Sequence, residues 1–173
     1  MIEISIEKVD ISAVLALQEL AIKTFSETFS DENSDENMKQ YIKKSLALEQ
    51  LESELSNAKS EFYFAKYNLE IIGYVKINFE EAQTEIFDIE AIELERIYVM
   101  RSFLSKKVGQ QLFEFVKKIA VQSQKKYLWL GVWEHNLKAI DFYKKNGFKV
   151  FDSHVFTLGN ENQTDLMMKL ELN

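Results

Sequence analysis

The stretch VWEHNLKAIDFYKKNGFKVF, residues 132–151, decides how the rest of the chain is read. Val132 and Trp133 close an apolar strand. Asn136 is of the residue type whose side-chain oxygen accepts a free N–H at a helix start, and the pattern that follows predicts a helix over residues 136–145. That helix carries Ala139, Ile140 and the aromatic pair Phe142–Tyr143, which places a phenol roughly two turns in. Gly147 and Phe148 then lead the chain into a strand predicted over residues 148–158.

Working outward, Tyr127, Trp129 and Trp133 alternate along a strand predicted over 127–133, where they read as core, with Trp133 also available as a substrate wall. A helix predicted over 106–122 precedes it, with Val108, Leu112, Phe115, Val116, Ile119 and Ala120 on one face. Before that helix lies a strand predicted over 92–100. A helical crossover of this length lets its flanking strands run parallel, so residues 92–133 read as a βαβ unit. Nearer the N-terminus, residues 2–6 form a short strand. Val14, Leu17, Ala21 and Phe25 recur at helical spacing, and further helical stretches cover 37–44 and 48–58. The acidic run SDENSDE, residues 30–36, reads as a loop that also caps a helix. Phe62, Phe64 and Tyr67, a turn at 68–70, and Ile71, Ile72, Tyr74, Val75 and Ile77 read as a hairpin. Residues 80–90 look like a polar, largely solvated connection, and 166–170 like a last strand. The fold class expected is α/β (α+β), a mixed but mostly antiparallel twisted sheet flanked by helices. With no linker or repeat, residues 1–173 are expected to form a single domain.

Composition narrows the function. The chain has 173 residues, 46% of them hydrophobic, enough for a real core. Its net charge of -7 repels nucleic acid and anionic membrane and attracts cations. With no cysteine, disulfides, thiolate zinc sites and cysteine nucleophiles are excluded. Two histidines, His135 and His154, argue against a histidine-rich metal site. No apolar run approaches the ~20 residues of a membrane span, and MIEISIEKVD (1–10) lacks the basic flank and apolar core of a signal peptide. A cytoplasmic protein is expected, and a homodimer is left open.

Two segments carry the chemistry. IYVMRSFLSKKVGQQL, residues 97–112, runs strand, loop, helix start. A helix N-terminus presents free N–H groups and a positive dipole end to phosphate, and Arg101, Lys106 and Lys107 add charge. Gly109 in the first turn costs about 1 kcal/mol against alanine, which close approach of a bulky group to the backbone would explain. An ordinary helix start with solvated lysines fits the same residues. In ELERIYV (93–99), Glu93 and Glu95 share a strand face unless a bulge intervenes. Paired carboxylates hold a cation and raise the proton affinity of one partner. Acidic residues on an open strand face are also common. Glu80, Glu81, Glu85, Asp88 and Glu90 are further candidates for a substrate-facing carboxylate, in a run that reads as mostly solvated.

The run 132–151, taken with this strand–loop–helix, resembles the C-terminal motif of the GNAT acetyltransferases. The resemblance covers about residues 60–158 and implies the GNAT fold, acetyl-CoA as cosubstrate and no metal. The family's Gln/Arg-x-x-Gly-x-Gly/Ala signature falls here with Leu104 in place of Gln or Arg, Lys107 in place of the first Gly, and Gly109 matching the second. It implies coenzyme binding by Ser105, Lys106, Lys107, Val108, Gly109 and Gln110 with Leu104, and by Asn136, Ala139 and Tyr143 on the other side. It also implies a bulge at Ile97, Tyr98 and Val99 that frees backbone groups for the pantetheine arm and the thioester carbonyl. By the same resemblance Glu93, or Glu95 through water, deprotonates the amine and Tyr143 protonates the leaving thiolate.

A narrower resemblance adds TFSETF (24–29), EFYFA (61–65), YLWLGVWE (127–134) and SHVFTLGNENQTDLMM (153–168). These are similar to the PaiA-type group of bacterial GNAT proteins, which implies N-acetylation of a small-molecule polyamine such as spermidine or spermine. The same fold would also serve a protein N-terminus or an antibiotic amine. A degenerate domain that only binds acyl-CoA or a partner is the non-enzymatic alternative, for which Leu104 and Lys107 are the best evidence.

Overall fold

The computed structural model describes residues 2–158 and 161–172. The twelve main elements are β1 (Ser5–Lys8), α1 (Val14–Phe29), α2 (Asp35–Ser45), α3 (Leu48–Ser56), β2 (Ser60–Tyr67), β3 (Glu70–Phe79), β4 (Ala91–Val99), α4 (Val108–Gln122), β5 (Tyr127–Trp133), α5 (Leu137–Lys145), β6 (Lys149–Leu158) and β7 (Glu161–Glu171). Gly159 and Asn160, inside the string 153–168, lie outside the described residues. The seven strands form one sheet in the order β1-β2-β3-β4-β5-β7-β6. β4 and β5 run parallel; the other neighbours are antiparallel. This is the GNAT fold, with its mixed, mostly antiparallel sheet flanked by helices.

The helices follow from pattern and caps. α1 buries Val14, Leu17, Leu20, Ala21, Thr24 and Phe25, a stripe at three- and four-residue spacing. Ser34 caps α2 by accepting from the Asn37 N–H. Asp35 and Glu36 in its first turn and Lys43 and Lys44 in its last complement the dipole. α4 buries Val108, Leu112, Phe113, Val116 and Ala120. Phe113 takes the place expected of Phe115, which instead half-emerges against Tyr63, 4.8 Å between ring centroids. Phe62, the alternate residue on β2, lies under the Lys76 ammonium, which pairs with Glu54 of α3. The α1–α3 layer and the α4–α5 layer therefore cover opposite faces.

Gly73 on β3 answers a close approach. A β-carbon there would stand 2.6 Å from the Tyr98 carbonyl oxygen and 3.3 Å from the Val99 Cα. Gly73→Ala should therefore push β3 from β4 and cost about 1–3 kcal/mol, read from urea unfolding. A loss below about 0.5 kcal/mol, the range of an unstrained surface change, would show that the strands accommodate it. Among the described residues no helix is long and apolar enough to cross a membrane.

Candidate active site

β4 and β5 pair only at Ala91↔Tyr127, Ile92↔Leu128 and Glu93↔Trp129 and then part. β4 stays on β3 as far as Gly73↔Val99, and the Met100 N–H donates to the Ile72 carbonyl at 2.9 Å. Backbone groups of successive strand residues point to opposite sides. Met100 and Tyr98 thus address β3, and Ile97 and Val99 turn their N–H and C=O groups toward the gap. The gap opens into a cleft of about 1410 Å³.

The bulge lies elsewhere than the resemblance implied. The register shifts between Lys76↔Arg96 and Ile77↔Leu94, so the extra residue is Glu95, not one of Ile97–Val99. An extra residue changes the phase of everything after it. Glu93 and Glu95 still share a face, since the Asn78 side-chain amide donates to both, at 3.0 and 2.5 Å. After the bulge, Arg96 and Tyr98 fall on that face: Arg96 reaches Glu54 and Tyr98 stacks at 5.8 Å from Tyr74.

The two carboxylates differ. Glu95 contacts Lys76 at 2.5 Å and Arg96 at 3.0 Å. Although burial opposes it, these cations and the Asn78 bond bring its carboxyl down to about 2. A group held this firmly ionised is a poor proton acceptor near neutrality, which counts against Glu95 acting through water. Glu93 is 3% exposed and lines the cleft. Burial foremost, then the Glu95 charge, raise its carboxyl above the ordinary range, against hydrogen bonds from Asn78 and Thr84. Thr84 gives it two, from N–H at 2.8 Å and from Oγ1 at 2.5 Å.

At one end of the cleft the chain turns through Arg101–Phe103 into α4. Ser105 and Lys107 both have φ of 64°, a left-handed conformation costing a residue with a β-carbon about 1–2 kcal/mol. The position where the family pattern has its first glycine does demand that backbone, and a lysine adopts it here. A β-carbon on Gly109 would meet nothing within 4 Å, so no protein atom requires glycine there and the free space belongs to the cleft. Arg101 is occupied: its N–H donates to Glu27 Oε2 at 2.7 Å, and its guanidinium bonds the Glu27 carbonyl and lies 3.5 Å from Asp31. The Lys106 ammonium sits 4.4 Å from the Phe103 ring centroid, and the residue is not part of the cleft wall. The expected basic patch thus reduces to Lys107, which lines the cleft with no ion pair among the described residues, beside Leu104, Ser105, Val108 and Gln110.

α5 forms the facing wall. Asn136 caps it, accepting from the Ala139 N–H at 3.2 Å, and both residues line the cleft. At the other end of α5, Gly147 with φ of 92° permits bonds from its N–H to the Lys144 carbonyl and from the Phe148 N–H to the Tyr143 carbonyl, an orderly C-terminal cap. Tyr143 is 7% exposed, with its ring against Phe142 and Phe148 at 5.4 and 5.5 Å. It lines the cleft, and its hydroxyl has no hydrogen-bond partner among the described residues. Burial keeps its phenol above the ordinary value, hence protonated.

The segment 80–90 is largely exposed, as its composition suggests, but it is anchored at a few points. Gln83 is 2% exposed and accepts from Trp129 Nε1 at 2.6 Å, while Tyr127 donates to Asp88 at 2.6 Å. Glu80 and Glu90 pair with Lys59 and Lys126, but Glu85 lines the cleft. There it meets His154 at 3.8 Å, which lies 4.0 Å from Asp165. Burial pushes the Asp165 carboxyl up to about 6, His154 opposing, and Asp165 Oδ1 and His154 Nδ1 are buried without partners. Sequence reasoning passed over Asn78, Thr84, His154 and Asp165 as site residues; only the string 153–168 pointed at the last two.

The cleft fits a coenzyme A thioester: a free strand edge at Ile97 and Val99, an unblocked backbone at Gly109, helix N–H groups and a lysine at one end. Comparison with known proteins agrees. A family model described as acetyltransferase (GNAT) family matches residues 14–148. An uncharacterised N-acetyltransferase of the pepI 3′ region in Lactobacillus delbrueckii subsp. lactis is 38% identical over 87% of each chain. An uncharacterised N-acetyltransferase of Mycobacterium tuberculosis is 24% identical over 90% of this chain and 96% of its own. The crystal structure of a PaiA N-acetyltransferase from Thermoplasma acidophilum in complex with coenzyme A superposes with a TM-score of 0.81 at 25% identity, covering 99% of this chain and 100% of its own. The family match over residues 14–148 spans β4, the turn into α4, β5 and α5, and with it this chain belongs to the GNAT family as an acetyl-CoA-dependent N-acetyltransferase.

Proposed function

We propose that the acceptor is a primary amine of a polyamine such as spermidine or spermine, and that the chain acts as one catalytic domain. The observation that carries this reading is the acidic far end of the cleft. Glu85, Glu93 and Asp165 line it, and Asp165 keeps an unpartnered buried oxygen. Such an oxygen gains a charge-assisted hydrogen bond from an ammonium group. The resemblance of the string 153–168 to the PaiA-type group, together with the likeness to the PaiA N-acetyltransferase fold, supports a polyamine acceptor.

The bound coenzyme supplies an acetyl thioester. Glu93 takes a proton from the substrate ammonium, which leaves a free amine to attack the acetyl carbonyl. The Val99 N–H, turned into the gap, donates to the developing oxyanion, a fixed donor of the kind worth several kcal/mol. Tyr143 donates its proton to the departing sulfur, and the phenolate so formed takes up the second proton that the attacking nitrogen sheds as the amide forms. The acetyl group passes directly to the amine, since the chain has no cysteine to carry it.

A panel of spermidine, spermine, diamines, an N-terminal peptide and an aminoglycoside, each with acetyl-CoA, tests the acceptor. The polyamines should lead in kcat/KM; a peptide or aminoglycoside turned over ten times faster would sink the polyamine reading. Asp165→Asn should raise KM for spermidine about tenfold or more, as expected for a lost hydrogen bond to a charged group, with kcat nearly retained. An unchanged KM would remove Asp165 from the acceptor site.

A further inference from the structure

Behind Glu93 lies a buried set of four charges that the reaction itself does not use. Arg96 grips Glu54 of α3 with two hydrogen bonds, both at 2.9 Å, and meets Glu95 at 3.0 Å. Lys76 meets Glu54 at 3.1 Å and Glu95 at 2.5 Å. All four side chains are at most 17% exposed. Two cations and two anions cancel in sum but not in place. The cations are turned toward Glu54 and Glu95. Glu95 instead shares the Asn78 amide with Glu93, 2.5 Å on one side and 3.0 Å on the other. The nearest fixed charge Glu93 feels is therefore negative. Working the other way, three donors stabilise its ionised form: Asn78 Nδ2 and the N–H and hydroxyl of Thr84.

We infer that Glu95 on one side, and Asn78 with Thr84 on the other, are opposed positioning residues that together set the proton affinity of Glu93. The inference rests on the reading of Glu93 as the base. Arg96 also interacts electrostatically with Tyr74 of β3 and Tyr41 of α2. The other titratable groups facing the cleft here are Glu85, His154 of β6 and Asp165 of β7, and none of them hydrogen-bonds to Glu93. Like charge so close favours the protonated carboxyl, and each donor favours the carboxylate. Removing the two influences must therefore move Glu93 in opposite directions. A network that served only to anchor α3 on the sheet would change stability without that opposition.

The test is a ¹³C NMR titration of the Glu93 side-chain carboxyl in the whole protein without substrate, run beside the pH dependence of kcat/KM. Glu95→Gln should lower the Glu93 midpoint. Thr84→Val, which keeps the side-chain shape and the backbone donor, should raise it by about one pH unit, the equivalent of one hydrogen bond to a charge. Midpoints that stay put, or move in the same direction, overturn the inference. Glu95→Gln leaves two buried cations one counter-charge short; if it does not fold, Thr84→Val decides alone, and an unmoved midpoint overturns the inference. Should the NMR midpoints part as expected while the acid limb of kcat/KM stays fixed, the tuning stands and the assignment of Glu93 as base falls.

Discussion

Tyr143→Phe should lower turnover about tenfold or more, the low end of what a positioned acid contributes, with coenzyme A affinity close to wild type. The substitution removes one oxygen. Packing is spared, because the ring is held by Phe142 and Phe148 and the hydroxyl bonds to no described residue. Burial keeps the phenol protonated, so across the working pH range it offers a proton rather than a charge. Calorimetric titration with coenzyme A and single-turnover kinetics separate binding from chemistry. Turnover equal to wild type would take Tyr143 out of the mechanism and leave it as core.

Glu93→Gln should cost about 10²–10⁴ in kcat/KM at neutral pH, the usual worth of a positioned base. The shape of the pH profile is the sharper test. Wild-type activity should rise as pH climbs through the midpoint of Glu93, which lies above that of an ordinary carboxyl, and then level off. The proton acceptor is fully ionised there and the substrate ammonium is still intact. In the glutamine variant only amine already deprotonated in solution can react. With an amine midpoint near that of lysine, about 10.4, the rate should keep climbing about tenfold per pH unit through neutrality. A variant with a wild-type plateau would place the base elsewhere.

The parts of this site that were legible in the sequence are those built from periodic or capped segments. Asn136 and Tyr143 sit on a short helix with a recognisable start, and Val108, Leu112, Val116 and Ala120 mark the buried face of α4 at helical spacing. β7 was foreseen only at 166–170 because its first residues, ENQTD, are polar: they line the cleft or face water rather than alternate into a core. Asn78 and Thr84 were illegible for a different reason. A single polar side chain has no period, and its role appears only when register sets it against Glu93. The bulge at Glu95 likewise depends on how β4 is paired with β3, which β4 alone does not encode. The acidic look of residues 80–90 concealed two uncharged residues, Gln83, which is buried, and Thr84, which bonds Glu93, while their charged neighbours Glu80 and Glu90 form ion pairs with Lys59 and Lys126.

The three-residue parallel contact between β4 and β5 has a mechanical consequence. β1 to β4 form one antiparallel ribbon and β5 to β7 another, and the sheet is narrowest where they meet. A thioester lying in the gap would touch both sides, on the Ile97–Val99 edge and on α5, and so would work as a cross-brace over the narrowest seam. Ligand at a hundred times its dissociation constant adds about 2.7 kcal/mol to the folded state, and here that increment falls across the seam. Release of the coenzyme after acetyl transfer would remove the brace, so each turnover would both load the joint between the two ribbons and release it.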